Sequence, residues 1–231
     1  MTTPQPPPAP DLEDLHPPLA AYVEKRWSEV DAIPDERRAA LDKLAGWVRR
    51  SVGASESASL TFICTHNSRR SHMTQLWAQT AAAVMGVPGI KTFSGGTEAT
   101  AFNPRAVAAM TRAGFDIERP DDADNPHYAV GYGPSSPRME AFSKVFGHEA
   151  NPKEGFVAVM TCSQADASCP FVPGAAYRVS LPYEDPKASD GTEREAGAYD
   201  ARVAQVATEM LYVFSRAVPS GDRHGSERSN P

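Results

Sequence analysis

At 231 residues and 41% hydrophobic, the chain can bury one core domain with modest additions but is short for two full domains. Its net charge of −6 offers no basic field of the kind a nucleic-acid surface needs, and no apolar run reaches the length of a membrane span, so neither partner is expected. The N-terminus lacks the basic and apolar regions of a secretory signal, and three cysteines, an odd number, fit a reducing compartment, so the expected location is cytoplasmic.

In chain order, residues 1–18 are Pro-rich and acidic and read as a solvated tail. Residues 19–55 read as a helical extension. Leu19, Tyr22, Val23 and Trp27 form one apolar stripe, Leu41, Leu44, Trp47 and Val48 a second, and Ile33-Pro34-Asp35 breaks between them. The main domain is expected over 56–218. It opens with a β-type run at Ser59–Ile63, a polar loop at Cys64–Ser71 and an Ala-rich helix at Met73–Met85. A second strand follows at Ile90–Phe93, with Ser94-Gly95-Gly96 as a turn. Next comes a helix at Asn103–Ala113, opened by Pro104 and stopped by Gly114. From Asp116 to Gly155 the pattern is irregular and reads as an insertion, with Tyr128–Tyr132 and Phe142–Phe146 as candidates for a hairpin. The acids Asp121, Asp122 and Asp124 there match no calcium-loop spacing and read as a solvated loop. Strands at Phe156–Met160 and Tyr177–Leu181 precede a long helix over Glu193–Val218, and residues 219–231 read as a polar tail. Strands alternating with helices imply parallel crossovers and an α/β sandwich.

The chemistry concentrates where a strand ends. Cys64-Thr65-His66-Asn67-Ser68-Arg69-Arg70-Ser71 reads C-x5-R-S between a strand and a helix. Five residues between Cys64 and Arg70 can wrap a tetrahedral anion with inward backbone N–H groups, and the following helix adds its positive end. Arg70 supplies a planar fork for two oxygens. The same surroundings favour the thiolate of Cys64, to which Ser71 can donate, and Asn67 tolerates the left-handed backbone of a tight loop. Thr65, His66, Asn67, Ser68, Arg69 and Arg70 are therefore the candidate anion-binding residues.

Cys64–Met73 resembles the loop C-T-x-N-S-x-R-S-x-M of the low-molecular-weight protein tyrosine phosphatase superfamily, and the resemblance runs from about Leu60 to Ser215. It implies a four-stranded parallel sheet flanked by helices in a three-layer sandwich, and it makes Asp185, in Asp185-Pro186, the general acid. Cys162–Pro170 is similar to the C-S-x-A-D-x-x-C-P of thioredoxin-coupled arsenate reductases within that superfamily.

The implied relay runs from Cys64 to Cys162 to Cys169, with arsenate as substrate and thioredoxin as reductant. Read from spacing alone, a continuous helix would hold Cys162 and Cys169 about 10 Å apart, so bonding them requires that segment to open. No cofactor and no metal is implied, since a zinc site wants four ligands. The chain departs from the pattern at His66, where a Gly is usual, and at Gln75, where potassium-binding members carry Glu. The rival activity is hydrolysis of a phosphate monoester by Cys64, Arg70 and Asp185. A third reading is a peroxide sensor resolved by Cys162.

Overall fold

The computed structural model describes residues 8–55, 57–119 and 122–218. Two helices come first, α1 (Pro17–Trp27) and α2 (Asp35–Ser55). The central unit follows as β1 (Ala58–Cys64), α3 (Arg70–Val84), β2 (Ile90–Gly96) and α4 (Pro104–Arg112). Three short strands come next, β3 (Asp116–Glu118), β4 (Tyr128–Gly131) and β5 (Met139–Ala141). The chain then runs through β6 (Phe156–Met160), α5 (Ser163–Ser168), β7 (Ala175–Ser180) and α6 (Glu195–Ala217).

The main sheet is parallel throughout, in the order β2-β1-β6-β7. The chain leaves β1 toward one edge and returns on the other side at β6. The carboxyl ends of β1 and β6 therefore flank the point where the strand order reverses, which is where an open α/β sheet leaves a crevice. Cys64 ends β1, and Cys162 lies just past the end of β6.

Alternation along β6 divides the side chains between two faces. Val157 and Val159 join a large core with Leu60 and Phe62 of β1 and the apolar stripes of α1, α2, α3, α4 and α6. Phe156, Ala158 and Met160 face a smaller cluster with Ile63, Cys64, Cys162, Ala165 and Val172. The α/β sandwich is thus unequal: five helices share the core of one face, and the other carries short α5 and the coil around Phe146.

The structure differs from the sequence expectation at several places. Ser94-Gly95-Gly96 is the end of β2, paired with Phe62, Ile63 and Cys64, and not a turn. Glycine is required there by close approach: a Cβ on Gly96 would fall 2.2 Å from Glu98 O and 2.7 Å from Asn67 N, and one on Gly95 would fall 2.4 Å from Phe146 Cα.

Tyr128–Gly131 pairs antiparallel with Met139–Ala141, not with Phe142–Phe146. The Ser136 hydroxyl, bonded to Tyr132 N and Gly133 N, sets the earlier turn. The Phe142–Phe146 stretch is drawn instead to the main sheet, where Val145 bridges Gly96 in parallel.

The proline-rich stretch, over its described residues 8–18, is docked rather than solvated. Asp11 N donates to Val84 O, His16 N to Tyr132 O, and Leu15 is buried. Residues 1–7, Asp121 and the tail 219–231 lie outside the described residues. No helix among the described residues is long and apolar enough to cross a membrane.

His72, on α3, is wholly buried, with Nδ1 3.2 Å from Ser94 Oγ and its ring stacked on Phe102. Burial first, and the Lys144 charge second, hold its imidazole down at about 3. An unfolded imidazole titrates near 6.5, so between those values the unfolded chain binds the extra proton. The stability this group contributes is complete above about 6.5 and drains as pH falls toward 3, by at most about 1.4 kcal/mol per unit. His72→Gln should flatten the rise of the urea midpoint between pH 4.5 and 7; an unaltered slope would assign the acid sensitivity elsewhere.

Candidate active site

Four carbonyls of the loop, those of Cys64, Thr65, His66 and Ser68, are anchored from outside. Cys64 O accepts from Thr97 N at 3.2 Å, Thr65 O from Glu98 N at 2.8 Å, and Ser68 O from Asn103 N at 2.8 Å. His66 O accepts from Ser143 Oγ at 3.0 Å and Thr100 Oγ1 at 3.1 Å. With these carbonyls turned outward onto partners, the loop's shape is imposed by β2, the start of α4 and the Ser143 segment.

Asn67 is the pivot. It is buried, and its φ of 43° makes it the single described non-glycine residue with positive φ. Its Oδ1 accepts from the Lys144 backbone N–H at 2.8 Å, which turns Nδ2 toward Ser71 Oγ, also at 2.8 Å. Ser71 Oγ lies 3.1 Å from Cys64 Sγ. With one lone pair of the hydroxyl taken by Asn67, the Ser71 proton can be given to the sulfur when Cys64 is ionised. One backbone donor thus orients the Asn67 amide in a three-step chain that ends at Cys64.

Arg70 begins α3 and is buried. Its Nη1 donates to Tyr183 O at 3.1 Å and its Nη2 to Asp185 Oδ2 at 2.8 Å, while buried Nε has no partner among the described residues. Asp185 also caps the short 3-10 turn Pro186–Ser189, with Oδ1 accepting from Lys187 N. Tyr183 is buried, and burial, helped by the Glu209 charge, pushes its phenol well above the usual range, so it stays neutral.

The remaining candidates divide. Thr65 Oγ1 sits 3.4 Å from Cys162 Sγ, joining the loop to the second cysteine. Cys162 caps α5 and accepts from Ala165 N at 3.3 Å; Cys169, partly exposed, stands at the other end of that helix. Ser68 Oγ points away, to Ala101 O, and Arg69 reaches Tyr199 Oη at 3.1 Å and Asp185 at 3.7 Å. His66 lies at the exposed rim, 3.7 Å from Glu98. Gln75 is buried on α3 and donates to Thr92 O.

Sequence reasoning missed Lys144, Ser143 and Tyr183, which act on the site through backbone groups or a single hydroxyl. Only the Gly95-Gly96 pair left a sequence signal, and it read as a turn.

Two relatives of this chain are arsenate reductases of Bacillus species. An arsenate reductase of Bacillus licheniformis is 29% identical over 158 residues, covering 68% of this chain and 94% of its own length. That of Bacillus subtilis is 29% identical over 160 residues, covering 69% and 96%. The chain is a homologue of the arsenate reductases.

No protein-family model matches the chain. Among solved structures, a YwlE mutant from Bacillus subtilis overlays with a TM-score of 0.48 at 15% identity, covering 68% of this chain and 97% of its own. A thioredoxin-dependent arsenate reductase of Corynebacterium glutamicum overlays with a TM-score of 0.37 at 17% identity, covering 81% of each.

Losing the Asn67 side chain should disable the loop in two separable ways. Asn67→Gly keeps access to positive φ and removes the bracing amide; Asn67→Ala loses both. Each should cut turnover by about 5- to 150-fold, the equivalent of about 1–3 kcal/mol for an orphaned buried hydrogen bond, with Ala the worse. Wild-type turnover in the Gly variant would show that the backbone conformation alone matters and that the chain from Lys144 to Cys64 is dispensable.

Proposed function

We propose that this protein reduces arsenate to arsenite through a relay of Cys64, Cys162 and Cys169, with a thioredoxin-like dithiol protein as reductant. The observation that carries the reading is the placement of the three sulfurs. Cys64 and Cys162 share one small buried cluster at the crevice between β1 and β6, linked through Thr65, and Cys169 stands a helix length away with partial exposure.

An oxyanion seated in the loop would meet the N-terminal end of α3 and the unpartnered Nε of Arg70, a buried donor that otherwise lacks an acceptor. The Cys64 thiolate adds to arsenic, and one arsenate oxygen leaves as water. The Cys162 thiolate then attacks the Cys64 sulfur. The S–As bond breaks with its electron pair on arsenic, which departs as arsenite, and a Cys64–Cys162 disulfide remains. Cys169 attacks Cys162 and frees Cys64. The two electrons gained by arsenic come from the two sulfurs that end as the Cys162–Cys169 disulfide.

That last exchange cannot occur with α5 intact. The six helical residues between the cysteines hold them about 10 Å apart, where a disulfide needs Cα atoms within about 7 Å. Opening α5 breaks less than two turns of helix and carries Cys169 outward, where a protein reductant can reach the bond. Arg178, bonded to Cys169 O and to Asp166, is the contact that must be released.

A second reading, phosphomonoester hydrolysis on the same loop, is favoured by Asp185. Its carboxyl is held 2.8 Å from Arg70 Nη2, beside the clamp, where it would protonate a leaving oxygen.

The two activities separate by mutation. Cys162→Ser and Cys169→Ser should each stop multiple-turnover arsenate reduction and leave p-nitrophenyl phosphate hydrolysis within about threefold, because water resolves a phosphoryl-enzyme and a thiol must resolve the arsenic adduct. Cys169→Ser should release one equivalent of arsenite and accumulate a Cys64–Cys162 disulfide by mass spectrometry. Asp185→Asn should slow ester hydrolysis by about 100-fold. Wild-type arsenate reduction by the Cys162/Cys169 double variant, with thioredoxin as sole reductant, would sink the relay.

A further inference from the structure

The helical extension over 19–55 lies outside the resemblance, yet one of its side chains reaches the loop that carries Asp185. Arg37, in the first turn of α2, forks onto Glu209 of α6: Nε donates to Oε1 and Nη2 to Oε2, both at 2.8 Å. Glu209 is buried and takes a further bond from Gln205 Nε2. The third nitrogen, Nη1, donates to Pro182 O at 3.1 Å, and the guanidinium lies over the Tyr183 ring, 4.7 Å from its centroid. Arg37 therefore spends its whole fork and one face on two things, a buried carboxylate and the Pro182-Tyr183 segment.

That segment is the one that meets Arg70. Tyr183 O accepts from Arg70 Nη1, and Asp185, two residues on, accepts from Nη2. The sheet end fixes the other side, with Leu181 N on Met160 O and Tyr183 N on Thr161 O. Between those backbone bonds and the capped turn at Pro186, Arg37 braces the loop from the side away from Arg70, through Pro182 O and the Tyr183 ring. Glu184, on the same stretch, is exposed and lies 3.4 Å from Arg202. Leu181 and Tyr183 anchor the loop in the main core, while a cleft of about 800 Å3 opens beside Arg37 and Pro182, lined also by Ile33, Pro34, Gln205 and Glu209.

We propose that Arg37 is a positioning residue for the Arg70–Asp185 pair, which makes the N-terminal extension a working part of the active site rather than an added packing layer. The proposal rests on the assignment of Arg70 as anion clamp and Asp185 as proton donor. Without Arg37, Pro182 O loses its donor, the Tyr183 ring loses its cover, and Glu209 becomes a buried, half-satisfied carboxylate. The loop then relaxes away from α6 and carries Asp185 off the line of the leaving oxygen, while the charge of Arg70 remains in the loop.

The test uses the full chain with Arg37→Gln, Arg37→Lys and Leu44→Ala. The last removes a wholly buried α2 side chain distant in role from Arg37 and serves as the measure of simple destabilisation. Aryl phosphates of graded leaving-group basicity are hydrolysed, inorganic phosphate inhibition is measured, and the Arg70 Nε–H resonance is followed by NMR.

Arg37→Gln should lower kcat about tenfold for the most basic leaving group, much less for the least basic, and change phosphate inhibition by less than about threefold. Arg37→Lys should recover part of this, since an ammonium can keep one of the two contacts but not the fork. The Arg70 resonance should move in Arg37→Gln, return part-way in Arg37→Lys and stay in place in Leu44→Ala.

Equal loss for all leaving groups, or the same kinetic pattern in Leu44→Ala at matched melting temperature, would overturn the proposal. So would an unmoved Arg70 resonance in Arg37→Gln. If the wild-type protein turns over neither esters nor arsenate, the catalytic reading fails, and the resonance still decides whether Arg37 positions Arg70.

Discussion

A tight anion loop has to hold its backbone N–H groups inward, and a chain that does so must send its carbonyls outward to partners. The left-handed turn at Asn67 makes this possible. A residue other than glycine with φ of 43° is costly by itself, and it persists here because its side chain is bound at both ends, by Lys144 N and Ser71 Oγ. The rest of the structure can be read as support for that turn. β2 ends in two glycines so that Gly96 can lie against Asn67 N, and the coil around Ser143 and Lys144 exists where His66 O and Asn67 Oδ1 need donors. Asn125 completes the arrangement by bonding Ser143 at both its N–H and its carbonyl.

The sulfurs are arranged by the same sheet. Because β1 and β6 are neighbours and both point their carboxyl ends into one crevice, two cysteines 98 positions apart in the chain meet there. Cys64 and Cys162 are buried side by side in one small cluster, and the short α5 separates them from Cys169. A longer or better-capped helix would make that separation permanent. Six residues, capped by a sulfur rather than an oxygen, put α5 at the low end of local stability, where opening during a catalytic cycle costs least.

The extension and the core are tied electrostatically as well as by packing. Arg37, partly exposed, pairs with buried Glu209 across α2 and α6, and removing Arg37 strands a buried carboxylate, which costs more than losing a surface pair. Surface pairs such as Arg112–Asp200, with both side chains near half exposed, contribute little to stability by comparison.

Much was legible in the sequence because it is local. The spacing of Cys64, Arg70 and Ser71 between a strand and a helix, the apolar stripes of α1 and α2, and the strand that precedes Cys162 all follow from short-range periodicity and from what a phosphate-sized anion requires. What stayed illegible depends on long-range contact. Ser94-Gly95-Gly96 looks like a turn until Phe146 and Asn67 are seen to press against it. Leu15 looks like part of a solvated tail until the α3 end and Tyr132 offer it a seat. Lys144 reaches Asn67 through a backbone N–H that every non-proline residue owns, so no side-chain pattern could have marked it. Arg37 reads as one more charge on a helix face, and its meaning comes from Glu209 and Pro182, which lie 172 and 145 positions further along the chain. The sequence by itself determined which atoms can do the chemistry, because thiolate, guanidinium and carboxyl are properties of residues. The tertiary structure decided how they are aimed, because direction and separation arise only when distant backbone segments supply each other's hydrogen bonds.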